Sequence, residues 1–296
     1  MPNDDVHLPT PPLVRWRSSL FSIPGPVKRI FDHFPLLTYA PNSLPLRCPP
    51  PARHENILHL FTTTAGAEAG RPSFNPACLK WQTYLKFYRV PFRTVQSNNH
   101  AAPSGTALPF LLPAHPGADA VPNGKFKKWC AAAITTSHGE QNNEEDRREE
   151  VYAALLENRI RKAWLFQLYL HPPNTFLLET LYINPQTKNH MVRLALTSQL
   201  RRAASTEISP SSTATIDMDD ILHDALEAFS ALSAILGDDK WFFGSACPGE
   251  MDAGVFAYTH LLLDEAMRWG ENMLGQGLVA YENLVQHRGR ILTSFY

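Results

Sequence analysis

The sequence has few cysteines, little glycine and no long apolar run, and each shortage excludes a class of protein. No cysteine belongs to a CxxC pair or a Cys/His cluster, so neither a zinc site nor a dithiol redox centre is predicted. Two disulfides could form, but the density is too low for a disulfide scaffold, and a reducing compartment is the simpler interpretation. The four cysteines are Cys48, Cys78, Cys130 and Cys247.

Targeting and membrane signals are equally scarce. No apolar run approaches the ~20 residues that a membrane-spanning helix requires, so we expect a chain that does not span a bilayer. The N-terminus begins with Asp4 and Asp5 followed by prolines. It therefore lacks the apolar core of a signal peptide and the acid-poor helix of a matrix presequence, which predicts a protein that faces the cytosol.

Charge is balanced overall but divided along the chain. The formal net charge is −1, while residues 1–130 carry +8 and residues 131–296 carry −9. The basic half could attract an acidic partner or an anionic lipid surface, or the two halves could attract each other, and both interpretations stay open. No ordered nucleic-acid motif accompanies the basic residues, so no nucleic-acid partner is predicted.

Motifs of common enzymes are absent. The sequence has no GxSxG, HExxH, GxxxxGK[ST] or GxGxxG pattern, and we predict no catalytic residue, cofactor or metal. The twelve histidines are scattered, and His260 is expected to be a hydrogen-bonded core residue. One acidic run is expected to be a solvated loop surface rather than a pair of catalytic carboxylates; it contains Glu144, Glu145, Asp146, Glu149 and Glu150.

Proline is plentiful instead, and it marks an extended arm over residues 1–55. Twelve of the 25 prolines fall there, with too little periodic pattern for a domain. Apolar and basic side chains alternate in the arm, so we expect it to lie against its own domain, a partner or a bilayer surface. The candidate contact residues are Arg15, Trp16, Arg17, Lys28, Arg29, Phe31 and Phe34.

Residues 56–135 show the pattern of a small α/β domain. A short apolar run at 57–61 predicts one strand, the segment 92–96 predicts a second and the segment 107–112 a third. Between the first two, Ser73-Phe74-Asn75-Pro76 predicts a helix start, with Ser73 placed to cap it. Cys78 lies on the same helical stripe as Trp81 and Leu85 and is expected to be buried. The order strand, helix, strand predicts a parallel pair joined by a right-handed crossover.

The remaining chain is predicted to be a charged linker over 136–150 and a helical domain over 151–296. A Ser/Thr-rich insertion at 205–215 precedes Asp217, a predicted N-cap, and Gly237 is expected to end that helix. The segment Met251–Leu263 is apolar nearly all round, which is typical of a centrally buried helix. The last helix is predicted to bury one stripe of residues, namely Leu278, Tyr281, Val285 and Leu292.

This organisation resembles the glutathione-transferase architecture, an α/β thioredoxin-like domain joined to an all-α helical bundle, here with a Pro-rich arm in front. The resemblance is carried by the helix 78–86, by Ala107-Leu108-Pro109-Phe110 and by the turn Gly249-Glu250-Met251-Asp252. It implies a cis bond before Pro109 and a helix-capping role for Asp252, because Gly249 replaces the usual hydroxyl residue.

Within that superfamily the sequence is most similar to the metaxin family. The run 74–87, the segments 103–105 and 108–111, and the blocks 241–244 and 251–253 carry this likeness, together with Phe34-Pro35-Leu36. The family implies a non-catalytic peripheral subunit of the mitochondrial sorting and assembly machinery, on the cytosolic face of the outer membrane. Its implied partners are the integral β-barrel subunit, a second metaxin-like subunit and β-barrel precursor proteins. The basic arm and the basic half of the chain add anionic lipid headgroups as a further candidate partner.

The alternative is a diverged glutathione transferase. Such an enzyme needs a hydroxyl or thiol near the start of the first helix, for which Ser73 and Cys78 are the candidates. It also needs an acidic or amide residue followed by Ser or Thr after the sheet, and the equivalent stretch, Val121-Pro122-Asn123-Gly124-Lys125, has no hydroxyl. The glutathione site is therefore expected to be dismantled, and the backbone of Leu108, beside Pro109, is expected to be able to pair with an extended peptide.

Overall fold

Four strands form one mixed sheet in the computed structural model, which describes residues 53–98, 108–115, 118–133, 143–209 and 217–296. The strands are β1 (Asn56–Leu60), β2 (Phe92–Gln96), β3 (Phe110–Leu112) and β4 (Val121–Pro122), in the order β2-β1-β3-β4. β1 and β2 are parallel, with Leu58 opposite Thr94, whereas β3 is antiparallel to both β1 and β4. The predicted parallel pair is confirmed, and the third strand begins later than predicted, at Phe110.

Helices make up most of the other described residues. Short π-helical segments at Leu156–Ile160, Phe166–Leu170 and Glu179–Ile183 interrupt the helices that precede them. The α-helices of the described residues are α1 (Thr64–Glu68), α2 (Pro76–Phe87), α3 (Phe126–Ala133), α4 (Asn143–Leu155), α5 (Arg161–Leu165), α6 (Thr175–Leu178), α7 (His190–Ile208), α8 (Met218–Leu236), α9 (Glu250–Leu263), α10 (Met273–Leu278) and α11 (Glu282–Phe295).

Helix α9 is the centre of the core. Twelve of its 14 residues are buried, as its uniformly apolar sequence predicts. It packs against α2 from the sheet half and against α11 from the end of the chain. Close packing is visible at Gly254, where an added Cβ would lie 3.0 Å from Leu156 Cδ1. One hydrophobic cluster therefore runs from the sheet through α9 into the helical half.

Two segments predicted as loops are partly helical. α4 begins at Asn143, inside the predicted charged linker 136–150, because glutamate and arginine favour helices and the segment leads directly into an amphipathic helix. α7 likewise continues to Ile208, four residues into the predicted insertion 205–215, since Ala204 and Ile208 are buried against Leu165. Asp217 caps α8 by accepting from Asp219 N, and Gly237 ends it at φ 51°, as predicted.

None of the helices in the described ranges is long and apolar enough to cross a bilayer. The predicted contact residues Arg15, Trp16, Arg17, Lys28, Arg29, Phe31 and Phe34 lie outside the described residues, as do Cys48 and the segment 103–105. Their roles stay predictions, and so do the domain boundaries at residues 55, 135 and 150.

Candidate functional site

The start of α2 is where the glutathione-transferase comparison places a sulfur-activating group. Asn75, not Ser73, is the N-cap: its Oδ1 accepts from Cys78 N at 3.1 Å, and Pro76 occupies the first turn. The Ser73 hydroxyl donates to the Phe61 carbonyl and accepts from Asn75 N at 3.2 Å. The predicted capping role of Ser73 is thus wrong, because the residue directly before proline is better placed to cap.

The Cys78 thiol is sealed in the core. The residue is fully buried, and Phe61 N donates to its Sγ at 3.5 Å. Burial raises the pKa of Cys78 to about 12, although the Phe61 amide and the Ser73 hydroxyl act in the opposite direction. A nucleophilic cysteine requires a lowered pKa and solvent access, and this thiol has neither.

Aromatic side chains from both halves of the molecule fill the space beside these groups. Tyr182, from the helical half, meets Phe61 and Phe74 edge-on, with ring centroids 5.2 and 5.3 Å apart. Its hydroxyl accepts from Asn75 Nδ2 at 3.0 Å. Burial raises the pKa of the Tyr182 phenol well above its usual value, so the group stays neutral. We call Phe61, Phe74 and Tyr182 the aromatic plug.

The glutathione-transferase resemblance also points to the segment where β3 begins and to the start of α3. The Leu108–Pro109 peptide bond is cis. Leu108 is only 3% exposed, so its side chain belongs to the core; pairing of its backbone with a peptide stays a prediction. The stretch 121–125 forms β4 and a 3₁₀ turn that opens α3, and it offers Asn123, Gly124 and Lys125 at the position where the enzymes have a hydroxyl residue.

Two hydroxyls that the sequence analysis overlooked lie on the short helix α1. Thr63 caps this helix by accepting from Gly66 N at 3.0 Å, and Thr64 Oγ1 donates to Gln96 Oε1 at 2.8 Å. Both threonines are exposed. The threonines before the segment Ala65-Gly66-Ala67-Glu68-Ala69 are candidate N-cap residues, and they were the available signal for α1. The hydroxyls at the start of the first helix after β1 therefore belong to Thr63 and Thr64 and not to Ser73.

Asp252 joins three elements at the start of α9. Its Oδ2 accepts from Gly249 N at 2.8 Å, and its Oδ1 accepts from Phe242 N at 3.1 Å. His287 Nε2 lies 2.8 Å from the same Oδ1, and because a carboxylate only accepts, we assign the hydrogen to Nε2. Both side chains are buried. Asp252 therefore caps the helix and also fixes α11, a second contact that the sequence did not reveal.

A cleft of about 330 Å³ opens between α2, α3, α4 and the start of α9. Glu250 lies 2.8 Å from Lys80 Nζ and 3.5 Å from Lys127 Nζ. Burial alone would raise the pKa of Glu250, but the two ammonium groups hold it below its usual value. Glu149 accepts from Met251 N at 3.2 Å and lies 3.6 Å from Lys127 Nζ, so this residue of the acidic run is not a solvated carboxylate as predicted.

His260, on α9, is buried but is not the hydrogen-bonded residue that was predicted. Its Nδ1 has no hydrogen-bond partner among the described residues, and its Nε2 is 3.7 Å from Asp264 Oδ2. The ring stacks on Phe256, with centroids 5.2 Å apart. Burial lowers the pKa of His260 to about 4. In the part of the chain that the structure describes, no cluster of His, Cys, Asp or Glu could hold a metal ion.

Two sequence-family models match the chain, and both describe glutathione transferases. The model of the glutathione S-transferase N-terminal domain matches residues 76–174, and the model of the C-terminal domain matches residues 225–291. The first match contains α2 and the cis-proline segment, whereas the second contains Asp252 and α9. The aromatic plug, Ser73 and Asn75 lie outside both matches. No curated protein matches the chain.

Solved structures of glutathione transferases are similar in shape and distant in sequence. A glutathione transferase of Phanerochaete chrysosporium is 10% identical, with a TM-score of 0.48 over 78% of this chain and 98% of that one. A family member of Pseudomonas fluorescens is 11% identical, with a TM-score of 0.47 over 81% and 89%. The Omega 3C enzyme of Trametes versicolor is 12% identical, with a TM-score of 0.45 over 81% and 89%. From its sheet topology and its two domain matches, the chain has a glutathione-transferase-like fold, with a thioredoxin-like domain followed by a helical domain.

Proposed function

We propose that this chain is a non-catalytic peripheral subunit of the mitochondrial outer-membrane sorting and assembly machinery, which aids insertion of β-barrel precursors from the cytosolic side. The proposal starts from the resemblance to the metaxin family, whose likeness includes the run 74–87 on α2 and the blocks 241–244 and 251–253 around Asp252. Its partners would be the integral β-barrel subunit, a second metaxin-like subunit and the precursors.

One observation carries the proposal: the groups that would activate a sulfur nucleophile have their hydrogen bonds committed inside the protein. Ser73 Oγ donates to the Phe61 carbonyl, and the Asn75 side chain both caps α2 and donates to Tyr182. The Cys78 thiol has a raised pKa and no exposure. An activating donor must be free to bind the thiolate of the substrate, so these contacts favour a binding role over conjugation.

A diverged glutathione transferase remains the second candidate, and the hydroxyls of α1 favour it. Thr63 and Thr64 are exposed near the start of the first helix, where the family places its hydroxyl donor. Thr63 uses its oxygen as an acceptor for Gly66 N, which leaves its hydroxyl hydrogen available to a ligand.

Two measurements on the full chain separate these functions. Affinity purification from solubilised outer membranes should recover the β-barrel subunit and the second metaxin-like subunit, while retention on immobilised glutathione and conjugation of thiol-reactive substrates should both be absent. Conjugation that disappears in Thr63→Ala would establish the enzyme instead. Ser209→Ala, a serine of the helical half beyond α7, is the matched control for loss of a hydroxyl.

A further inference from the structure

Exposed apolar side chains are concentrated in one part of the helical half. Four large ones lie within 19 residues of one another: Phe176 is 76% exposed, Met191 73%, Leu194 52% and Val192 43%. Single exposed apolar residues are ordinary, but a contiguous group marks a docking surface. The other large apolar side chains exposed in the described ranges, such as Val279, stand apart from this group in the sequence.

Three of the four share the first turn and a half of α7. Asn189 caps this helix by accepting from Met191 N at 2.9 Å, so the turn is well anchored. Met191, Leu194 and Arg202 are separated by three and eight residues, so they lie on one side of the helix, next to the buried stripe of Thr197, Ala204 and Ile208. The exposed apolar group therefore stands on a helix whose other face is fixed in the core.

The neighbouring helix α6, which carries Phe176, lies beside the later part of α7. Arg201 Nη2 donates to Thr175 Oγ1 at 2.6 Å, and Arg193 Nη2 donates to Glu179 Oε2 at 2.9 Å. These two bonds hold α7 beside the helical segment that carries Phe176. The surface formed by Met191 and Leu194 of α7 and Phe176 of α6, with the cations Lys188 and Arg202, is called the α7 surface below.

The charge around this surface points to its occupant. The 27 residues from Thr180 to Thr206 contain no aspartate or glutamate, although residues 131–296 as a whole carry −9. They contain Lys188, Arg193, Arg201 and Arg202. Arg193 and Arg201 are used in the bonds just described, whereas the side chains of Lys188 and Arg202 are exposed and form no hydrogen bond or ion pair within the described residues. A positive, apolar surface in an acidic half is complementary to an anionic lipid bilayer.

We propose that the α7 surface docks on the headgroup region of an anionic membrane. Met191, Leu194 and Phe176 insert at the boundary between headgroups and acyl chains, and Lys188 and Arg202 bind lipid phosphates. The inference rests on the proposed function, to which it adds the face that a peripheral subunit turns toward its membrane. Attachment by this surface is reversible, since a few apolar side chains and two cations bind far more weakly than a spanning helix.

Vesicle co-sedimentation of the full chain tests this surface. The probes are vesicles of phosphatidylcholine alone and vesicles in which about a third of the lipid is phosphatidylserine. We expect binding to the anionic vesicles, weaker binding as salt rises, and a loss of about tenfold or more in the double variant Met191→Glu/Leu194→Glu. Both positions are exposed near the helix start, where carboxylates are tolerated, so the fold should survive; Met191→Ser/Leu194→Ser repeats the test without added charge.

Val279→Glu is the matched control, because Val279 is also a highly exposed apolar residue (62%) but lies outside the α7 surface. Its vesicle binding should equal that of the unaltered chain. Equal binding by all variants would refute the α7 surface, as would an unaltered chain that ignores anionic vesicles. Loss of the β-barrel subunit in the double variant, without any vesicle binding by the unaltered chain, would assign this face to a protein contact instead. The co-purification experiment above tests the proposed function separately.

Discussion

The protection of Cys78 from chemical modification is the sharpest prediction of the site. Burial raises its pKa from an ordinary 9.0 to about 12. Because each pKa unit changes the thiolate population tenfold, native Cys78 should hold about a thousandfold fewer thiolates at neutral pH than an unperturbed thiol. Lack of solvent access to the buried sulfur slows its reaction further.

Alkylation by iodoacetamide, followed by peptide mass spectrometry, measures this protection. Cys247 is exposed and serves as the internal reference within the same molecule. We expect Cys247 to be alkylated at least about a thousandfold faster than Cys78 in the native protein, and the two rates to converge in denaturant. Cys130, whose pKa burial raises to about 11, should also be protected.

A Cys48→Ser background simplifies the comparison, because Cys48 lies outside the described residues. In that background, Cys247→Ser should remove the fast phase and leave only slow modification. Alkylation of native Cys78 at the rate of Cys247, or a mixed disulfide between Cys78 and glutathione, would refute the argument that this thiol is inert. It would also favour a glutathione-transferase activity over a binding role for this chain.

Three further predictions concern stability and are measured by denaturant unfolding. Tyr182→Phe removes the hydrogen bond from Asn75 and should lower the free energy of unfolding by about 1 kcal/mol. Tyr182→Ala also empties the aromatic plug and should lower it by about 4 kcal/mol. Equal losses in the two variants would contradict the role of the plug. Asp252→Ala strands buried donors and should cost about 3 kcal/mol, against about 1 kcal/mol for the exposed cap variant Asp217→Ala. Burial lowers the pKa of His260 from 6.5 to about 4, so the unfolded chain binds more protons than the folded chain between these pH values. The free energy of unfolding should therefore fall as pH falls through that window, and His260→Gln should remove about 3 kcal/mol of this dependence. Superimposable pH profiles of the variant and the unaltered chain would refute this.

Local patterns were sufficient to predict much of the sheet half. Proline at the first turn located the start of α2, and the stripe shared by Cys78 and Leu85 predicted burial of the thiol. The cap was misassigned because Ser73 and Asn75 are both good capping residues, and only the backbone shows that Ser73 instead donates to the Phe61 carbonyl. Short-range propensity predicts that a helix begins, whereas the choice between neighbouring caps depends on the preceding strand.

Contacts between distant residues were beyond any local pattern. The last helix was predicted to bury Tyr281 and Val285, but the fully buried positions are Leu284, His287 and Ile291. His287 interrupts the apolar stripe of α11, so the sequence pattern does not show which face of the helix is buried. It is accepted in the core because Asp252, 35 residues away, provides the bond that a buried imidazole requires.

The same polar groups cannot serve packing and sulfur chemistry at once. Asn75 Nδ2 binds the hydroxyl of Tyr182, which belongs to the helical half, so this donor helps to join the halves of the molecule. Freeing it for a ligand would remove one hydrogen bond of a buried phenol, which costs about 1 kcal/mol, and opening the aromatic plug as well would cost several kcal/mol. Conjugation would therefore have to use groups outside the plug, of which the exposed hydroxyls of Thr63 and Thr64 are the ones that α1 offers. A binding subunit requires none of these groups to be free, and for that reason the committed hydrogen bonds around α2 favour docking over catalysis.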